Sequence, residues 1–267
     1  MERKLYYISA DIEGCTDVTH WDETEKNCRD WLEAREQMTA EVAAACTAIL
    51  DSGNDVVIRD GHDSARNLIH SKLPRGARLM RGWDSVPERM VSGLDEKYAG
   101  LLCVGYHSPG GTGSNPLAHS HSHSNLIYVK INGKLASEFT SNRLFAASFG
   151  VPAIFLSGDK GMCDIAAEEV PGIVTAAVKD CRGDSTLNMH PLDACDLIYE
   201  KVTEALRKEH EKPVLPQELE LEVRCVKHQT ARSALWIPGV ELLDANTIRY
   251  VAKTPTELNF VRVYVTK

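Results

Sequence analysis

Short, continuous apolar segments alternate with longer amphipathic segments along most of the chain, and this alternation limits the folds it can adopt. Five apolar segments have the length and composition of strands, and most of them are continuous apolar runs, which indicates strands buried on both faces. They are residues 5–10, 55–59, 101–106, 125–131 and 152–157. Helical patterns occur at residues 30–51, 141–149, 163–170 and 190–211. Strands that alternate with helices predict an α/β fold with a doubly wound, mostly parallel sheet.

The pattern changes after Pro213 and Pro216, which end the last helical segment. Three short segments beyond them are typical of strands, with turn residues between them. They are residues 219–227, 247–252 and 260–266. We therefore predict an α/β domain over residues 1–212 and a smaller β-rich C-terminal subdomain over residues 213–267, packed against the first.

Charge and hydropathy exclude several classes of protein. Thirty Lys and Arg against 38 Asp and Glu give a net charge of −8. The sequence contains no run of basic residues of the kind that nucleic-acid-binding proteins usually have, so we expect no nucleic-acid partner. No apolar stretch reaches the roughly 20 residues of a membrane span, and the first residues lack a signal-peptide core. The eight cysteines form no CxxC pair. We expect a cytoplasmic protein with free thiols and no membrane partner.

Polar residues follow three of the predicted strands where each strand ends. Asp11 and Glu13 follow the first strand, His62 follows the second and His107 follows the third. The carboxyl ends of parallel strands share one edge of a sheet, which is where ligands bind. Asp11 and Glu13 point the same way in extended chain, so their charges repel unless a cation lies between them. Carboxylates with imidazoles favour Zn²⁺ over Mn²⁺ or Co²⁺.

Two further features are ambiguous. In extended chain His119, His121 and His123 would lie on one face. This segment could be a polar surface loop, could supply a general acid or base or an oxyanion-stabilising histidine beside the metals, or could be a metal-storage patch. Glu138 follows the hairpin turn Asn132-Gly133, on the return strand or at a helix start, and pattern alone does not single it out.

The motifs taken in order resemble the zinc-dependent bacterial D-aminopeptidases associated with dipeptide transport. The matching segments are residues 9–14, 60–62, 105–107, 117–120, 138–139, 157–159 and 237–241, with the sequences SADIEG, DGH, GYH, LAHS, EF, SGD and IPGVE. Together they span nearly the whole chain.

The resemblance implies two zinc ions per subunit. Asp11 would bridge both ions, Glu13 and His62 would complete one site, and His107 and Glu138 would complete the other. His119 matches the catalytic histidine of the family. The resemblance also implies a homodecamer built from two stacked pentameric rings.

Three hypotheses follow. The first is a dinuclear zinc aminopeptidase that hydrolyses the N-terminal amide bond of short peptides or amino-acid amides. The second is a two-metal phosphoesterase, for which Arg59, Arg66 and Lys160 lie near the motifs. The third is a non-enzymatic peptide- or metal-binding module of a transport system. The residues alone leave the D or L preference of a substrate open, whereas the resemblance implies D.

Overall fold

The computed structural model describes residues 3–266, which contain twelve strands, six α-helices and four short 3-10 helices. The strands are β1 (Leu5–Ala10), β2 (Asp55–Asp60), β3 (Arg78–Met80), β4 (Leu101–Tyr106), β5 (Leu126–Ile131), β6 (Lys134–Leu135), β7 (Ala153–Asp159), β8 (Val174–Arg182), β9 (Ser185–Asn188), β10 (Leu219–Cys225), β11 (Glu241–Leu242) and β12 (Thr247–Ala252). The helices are α1 (Trp31–Asp51), α2 (Glu138–Ser148), α3 (Lys160–Glu169), α4 (Pro191–Arg207), α5 (His228–Ser233) and α6 (Pro255–Val265).

A seven-stranded sheet forms the centre of the fold, in the order β3-β2-β1-β4-β7-β8-β9. All neighbouring strands are parallel except β8 and β9, which are antiparallel. Helices α1 and α4 pack on one face, and α2 and α3 pack on the other. The predicted α/β fold with a doubly wound, mostly parallel sheet is therefore confirmed, and β1, β2, β4 and β7 lie in one sheet as expected.

A second, antiparallel sheet has the order β11-β12-β10-β5-β6. It contains two of the predicted C-terminal strands, together with the β5–β6 hairpin from the middle of the chain. Only about half of β5 is buried, which is typical of an antiparallel strand with one covered face. The division at residue 213 stays a prediction, although this sheet draws strands from both sides of it.

The predicted strand at residues 260–266 is wrong, because this segment belongs to helix α6. The Thr254 side chain accepts a hydrogen bond from the backbone N–H of Glu257, three residues on, and so caps the helix. Leu258 and Val265 are buried at helical spacing. The β-branched composition favours a strand locally, but the N-terminal cap and the buried helical face outweigh it.

Several elements do not follow from the sequence patterns. They are the strands β3, β8, β9 and β11 and the helix α5, whereas β6 is the return strand of the predicted hairpin at Asn132-Gly133. Helix α2 starts at residue 138, three residues before its predicted start, because Ser137 caps it by accepting from the backbone N–H of Thr140.

All eight cysteines are free thiols, as expected. No helix among the described residues is both long and apolar enough to cross a membrane.

Candidate metal centre

The loops that follow β1, β2 and β4 meet at the carboxyl edge of the parallel sheet. Strand β1 pairs with β2 on one side and with β4 on the other, which brings Asp11 and Glu13 between His62 and His107. Glu138 enters from another direction, as the first residue of α2. Asp11, Glu13, His62, His107 and Glu138 thus come together, each less than a tenth exposed.

Close backbone approach fixes the loop that contains Asp11 and Glu13. The backbone N–H of Gly14 donates to the carbonyl oxygen of Gly105 over 2.8 Å. Gly105 has φ of +75°, and a Cβ there would lie 2.3 Å from the carbonyl oxygen of Asp11. Only glycine fits this position, so the Gly-Tyr-His sequence has a structural reason beyond its histidine.

The loop after β2 is built around Asp60, which is not a member of the cluster. Its carboxylate accepts hydrogen bonds from the backbone N–H groups of Asn67 (2.6 Å) and Leu68 (2.8 Å). The side-chain amide of Asn67 then donates to the carbonyl oxygen of His62 over 2.7 Å. Asp60 therefore shapes the turn that positions His62.

His62 presents one ring nitrogen to two carboxylates. Its Nδ1 lies 3.3 Å from Asp11 Oδ1 and 3.1 Å from Glu13 Oε2. Its Nε2 lies 2.9 Å from the carbonyl oxygen of Thr24. Because a carbonyl can only accept, Nε2 carries the hydrogen, and in the neutral ring the lone pair of Nδ1 faces the carboxylates.

His107 repeats this arrangement on the other side of Asp11. Its Nε2 lies 3.6 Å from Asp11 Oδ2 and 3.6 Å from Glu138 Oε2. Its Nδ1 lies 3.0 Å from the carbonyl oxygen of Ser108, which holds the hydrogen on Nδ1. Each oxygen of Asp11 therefore faces a different imidazole.

Unpaired buried atoms show that this cluster suits a cation. Asp11 Oδ2, Glu13 Oε2 and His107 Nε2 are buried without a hydrogen-bond partner among the described residues. Three overlapping groups offer ligand atoms within 4.8 Å of one another: Asp11, Glu13 and His62; Asp11, His107 and Glu138; and Glu13, His107 and His119. Buried acceptors that face one another are costly unless a proton or metal ion lies between them, and this donor set suits Zn²⁺.

The charges of the cluster shift one another's titration. Burial and the nearby charge of Glu13 raise the pKa of Asp11 well above its usual value. Burial opposes the ionisation of His107, but the nearby carboxylate of Glu138 raises its pKa to about 10. Protons therefore compensate the carboxylates where no cation does, so metal binding displaces protons and is favoured by higher pH.

His119 lies at the mouth of the cluster. Its Nδ1 donates to the carbonyl oxygen of Leu117 over 2.9 Å, which leaves Nε2 facing Glu138 Oε1 at 3.7 Å. The ring stacks on His107 with centroids 4.3 Å apart. Burial, and then the charge of His107, lower the pKa of His119, so Nε2 has a free lone pair at neutral pH.

The expectation that three histidines lie on one extended face is wrong, because the chain turns at His121, where φ is +65°. The backbone N–H of His121 donates to Glu138 Oε1 over 2.7 Å, and its ring contacts Ser141 Oγ at 3.3 Å. His123 instead stacks on Trp21 with centroids 4.2 Å apart. His121 therefore holds Glu138 in position, whereas His123 packs against Trp21.

Two buried groups that the sequence analysis did not assign hold these loops in place. The Nζ of Lys179 on β8 donates to the carbonyl oxygen of Glu13 over 2.6 Å, although the side chain is almost fully buried. Asp159 accepts from the backbone N–H of Ser108 (2.8 Å) and from the amide of Asn115 (2.9 Å). A lysine within an apolar strand was the available signal for Lys179, because buried charges are rare unless they are partnered.

A cavity of about 470 Å³ opens beside the cluster. Its lining includes four of the five predicted ligands, together with His119, His121, His123, Trp21, Trp83, Arg89 and Arg262. Arg59, Arg66 and Lys160, which the phosphoesterase hypothesis would use, do not line it. The cavity therefore joins the metal-binding cluster to an aromatic and basic wall that the sequence analysis missed.

Comparisons with known proteins agree with this geometry. The chain matches the peptidase M55 family, described as D-aminopeptidase, over residues 5–262. It is 30% identical over 257 residues to a D-aminopeptidase of Bacillus subtilis strain 168, covering 94% of this chain and 92% of that protein. Its fold matches the Zn-dependent D-aminopeptidase DppA of Bacillus subtilis, described as a self-compartmentalizing protease, with a TM-score of 0.91. That match is 27% identical in sequence and covers 98% of this chain and 96% of the other.

Proposed function

The chain belongs to the D-aminopeptidase family, peptidase M55, and from that premise we propose that it is a dinuclear zinc aminopeptidase. Its substrates are short peptides or amino-acid amides, from which it removes the N-terminal residue, with a preference for D-amino acids. The family match, the similar fold of a Zn-dependent relative and the donor set of the cluster all support this function.

The orientation of Asp11 is the observation that carries the proposal. Its Oδ1 faces His62 and its Oδ2 faces His107, so one carboxylate is placed to serve two metal positions. Glu13 would complete the position beside His62, and Glu138 would complete the one beside His107. This arrangement favours two zinc ions per subunit with Asp11 as the bridging ligand.

A pair of bound zinc ions would lower the pKa of water to near neutrality and polarise the scissile carbonyl. A side chain of the protein, His119, would transfer the proton during the reaction. The unprotonated Nε2 of His119 faces the cluster from the cavity side, where it can take a proton and return it to the leaving amine. The carbonyl of Leu117 fixes the tautomer that this role requires.

Access to the cavity fits small substrates. A volume of about 470 Å³ accommodates a short peptide but not a folded chain. We include in the proposal a homodecamer of two pentameric rings, which would enclose the sites, and a cytoplasmic location. The description of the structural relative as a self-compartmentalizing protease supports assembly into an oligomer.

The test is an assay of the zinc-loaded protein on paired D- and L-aminoacyl amides and dipeptides. We expect hydrolysis of the D substrates, loss of activity on chelation and recovery with zinc. Hydrolysis of a phosphate ester without any amide hydrolysis would instead support the phosphoesterase. Binding of two zinc ions per chain without hydrolysis of any substrate would support a binding module.

A further inference from the structure

Arg262 is a buried cation without an anionic partner. Its side chain lines the cavity, although the residue is only 2% exposed. Its guanidinium donates to Asn259 Oδ1 over 3.2 and 3.1 Å and to the carbonyl oxygen of Pro87 over 3.4 Å, and these acceptors are neutral. Within residues 3–266 no carboxylate oxygen lies within 4.0 Å of it. Burial lowers its pKa to about 9, the direction expected for a buried cation, while the more distant charge of Glu138 acts the other way.

Arg89 lines the same cavity two residues beyond Pro87. It is half-buried and forms no ion pair or side-chain hydrogen bond among the described residues. Its φ is +49°, a conformation that costs free energy for a residue with a Cβ. Its Cζ lies 5.5 Å from the ring centroid of Trp83, which therefore helps to direct the guanidinium.

A third arginine adds to the positive charge of this wall. Arg59 lies behind Trp83, with its Cζ 5.3 Å from the ring centroid. Its Nε and Nη2 are buried and have no hydrogen-bond partner in the described part of the chain. Buried guanidinium groups without anions are costly, so this wall is organised to receive an anion.

We propose that Arg89 and Arg262 form a subsite for the C-terminal carboxylate of a short peptide substrate. This inference rests on the proposed function, in which the N-terminal end of the peptide lies at the metal cluster. The cavity of about 470 Å³ is small enough that the other end of a short peptide reaches the arginines that line it. Guanidinium groups bind carboxylates through paired hydrogen bonds, and in a partly dry cavity these interactions are strong. The subsite selects short peptides with a free carboxylate over blocked or longer ones.

The experiment pairs one change in the substrate with one change in the protein. The substrates are D-alanylglycine and its C-terminal amide, and the readout is the ratio of their kcat/KM values. In the wild type we expect a ratio of about 10–100 in favour of the free acid, the value of a lost charged hydrogen bond. In Arg89→Gln the ratio falls towards one. Arg81→Gln is the matched control, because Arg81 lies in the same part of the chain but outside the cavity lining.

Arg262 is tested by Arg262→Lys, because a neutral residue at this buried position can prevent folding. Lysine keeps the charge but loses the paired geometry, so the ratio falls to an intermediate value. Binding of the two peptides to the zinc-loaded His119→Ala variant, measured by calorimetry, gives a readout that is independent of turnover. There the free acid binds more tightly than its amide, and the additional change Arg89→Gln reduces the difference.

The outcomes separate this inference from the proposed function. Hydrolysis of both peptides with equal kcat/KM by the wild type overturns the carboxylate subsite and leaves the aminopeptidase in place. Absence of any peptide hydrolysis overturns the proposed function, and equal binding of the two peptides then overturns the subsite as well. The other anion that the two arginines could bind is phosphate. A phosphate ester that is hydrolysed in an Arg89-dependent manner, without amide hydrolysis, would assign the arginines to phosphate.

Discussion

Glu41 is predicted to make the protein less stable as the pH rises, and Glu41→Gln should remove this effect. Glu41 lies on α1 and is fully buried. Its Oε1 accepts from the backbone N–H of Thr16 over 2.9 Å and from the Gln37 amide over 3.1 Å, whereas its Oε2 has no partner among the described residues. Burial raises the pKa of Glu41 from its usual 4.5 to about 7.

The sign and the magnitude follow from proton linkage. The folded state binds the proton more tightly than the unfolded state, so the contribution to stability is fully present below pH 4.5. It is lost as the pH rises from 4.5 to about 7, and it stays lost above that pH. A pKa difference of about 2.5 corresponds to about 3 kcal/mol, since one pH unit is about 1.4 kcal/mol.

Glutamine keeps an acceptor for Thr16 but cannot ionise. We therefore expect Glu41→Gln to unfold at higher urea concentration than the wild type at pH 8, by about 3 kcal/mol in unfolding free energy, and to match it near pH 4.5. Glu33→Gln is the control, because Glu33 is an exposed residue on the same helix. A difference between wild type and variant that is the same at every pH, or a variant that is less stable at pH 8, would refute the reasoning.

Three further predictions concern the metals, catalysis and assembly. Asp11→Ala should lose more zinc than Glu13→Ala, because Asp11 serves both positions, and full two-ion occupancy in the Asp11 variant by metal analysis would contradict this. His119→Ala should keep both ions and lose about 10²–10⁴-fold in turnover, while His121→Ala and His123→Ala lose much less. Loss of zinc in His119→Ala would instead make His119 a ligand, in keeping with its place beside Glu13 and His107. Light scattering should give the mass of a decamer, and a mass equal to the 29.5 kDa subunit would rule the assembly out.

Most of the candidate site could be predicted from the sequence, because its residues follow buried strands. Asp11, Glu13, His62 and His107 lie just past the ends of β1, β2 and β4, and parallel neighbours bring their carboxyl ends to one edge. The continuous apolar runs predict these strands without any knowledge of tertiary contacts. Glu138 was identified only through the family resemblance, since no strand pattern leads to it.

Local patterns failed where remote contacts decide the structure. Strand β5 has the pattern of a strand, but pairing with β10, about 90 residues later, places it in the second sheet. The histidine run has the alternation of an extended segment, yet contacts with Glu138 and Trp21 bend it at His121. These outcomes depend on partners that a short window of sequence does not contain.

The sequence by itself determined the parallel sheet and the set of carboxylates and imidazoles at its edge, because both follow from short-range hydrophobic patterning. Only the tertiary structure decided which groups surround that set. Lys179 reaches Glu13 across 166 residues of chain, and Arg262 reaches Pro87 across 175. Such contacts arise when separate elements pack around a common core, so the basic wall of the cavity has no signature in any single segment.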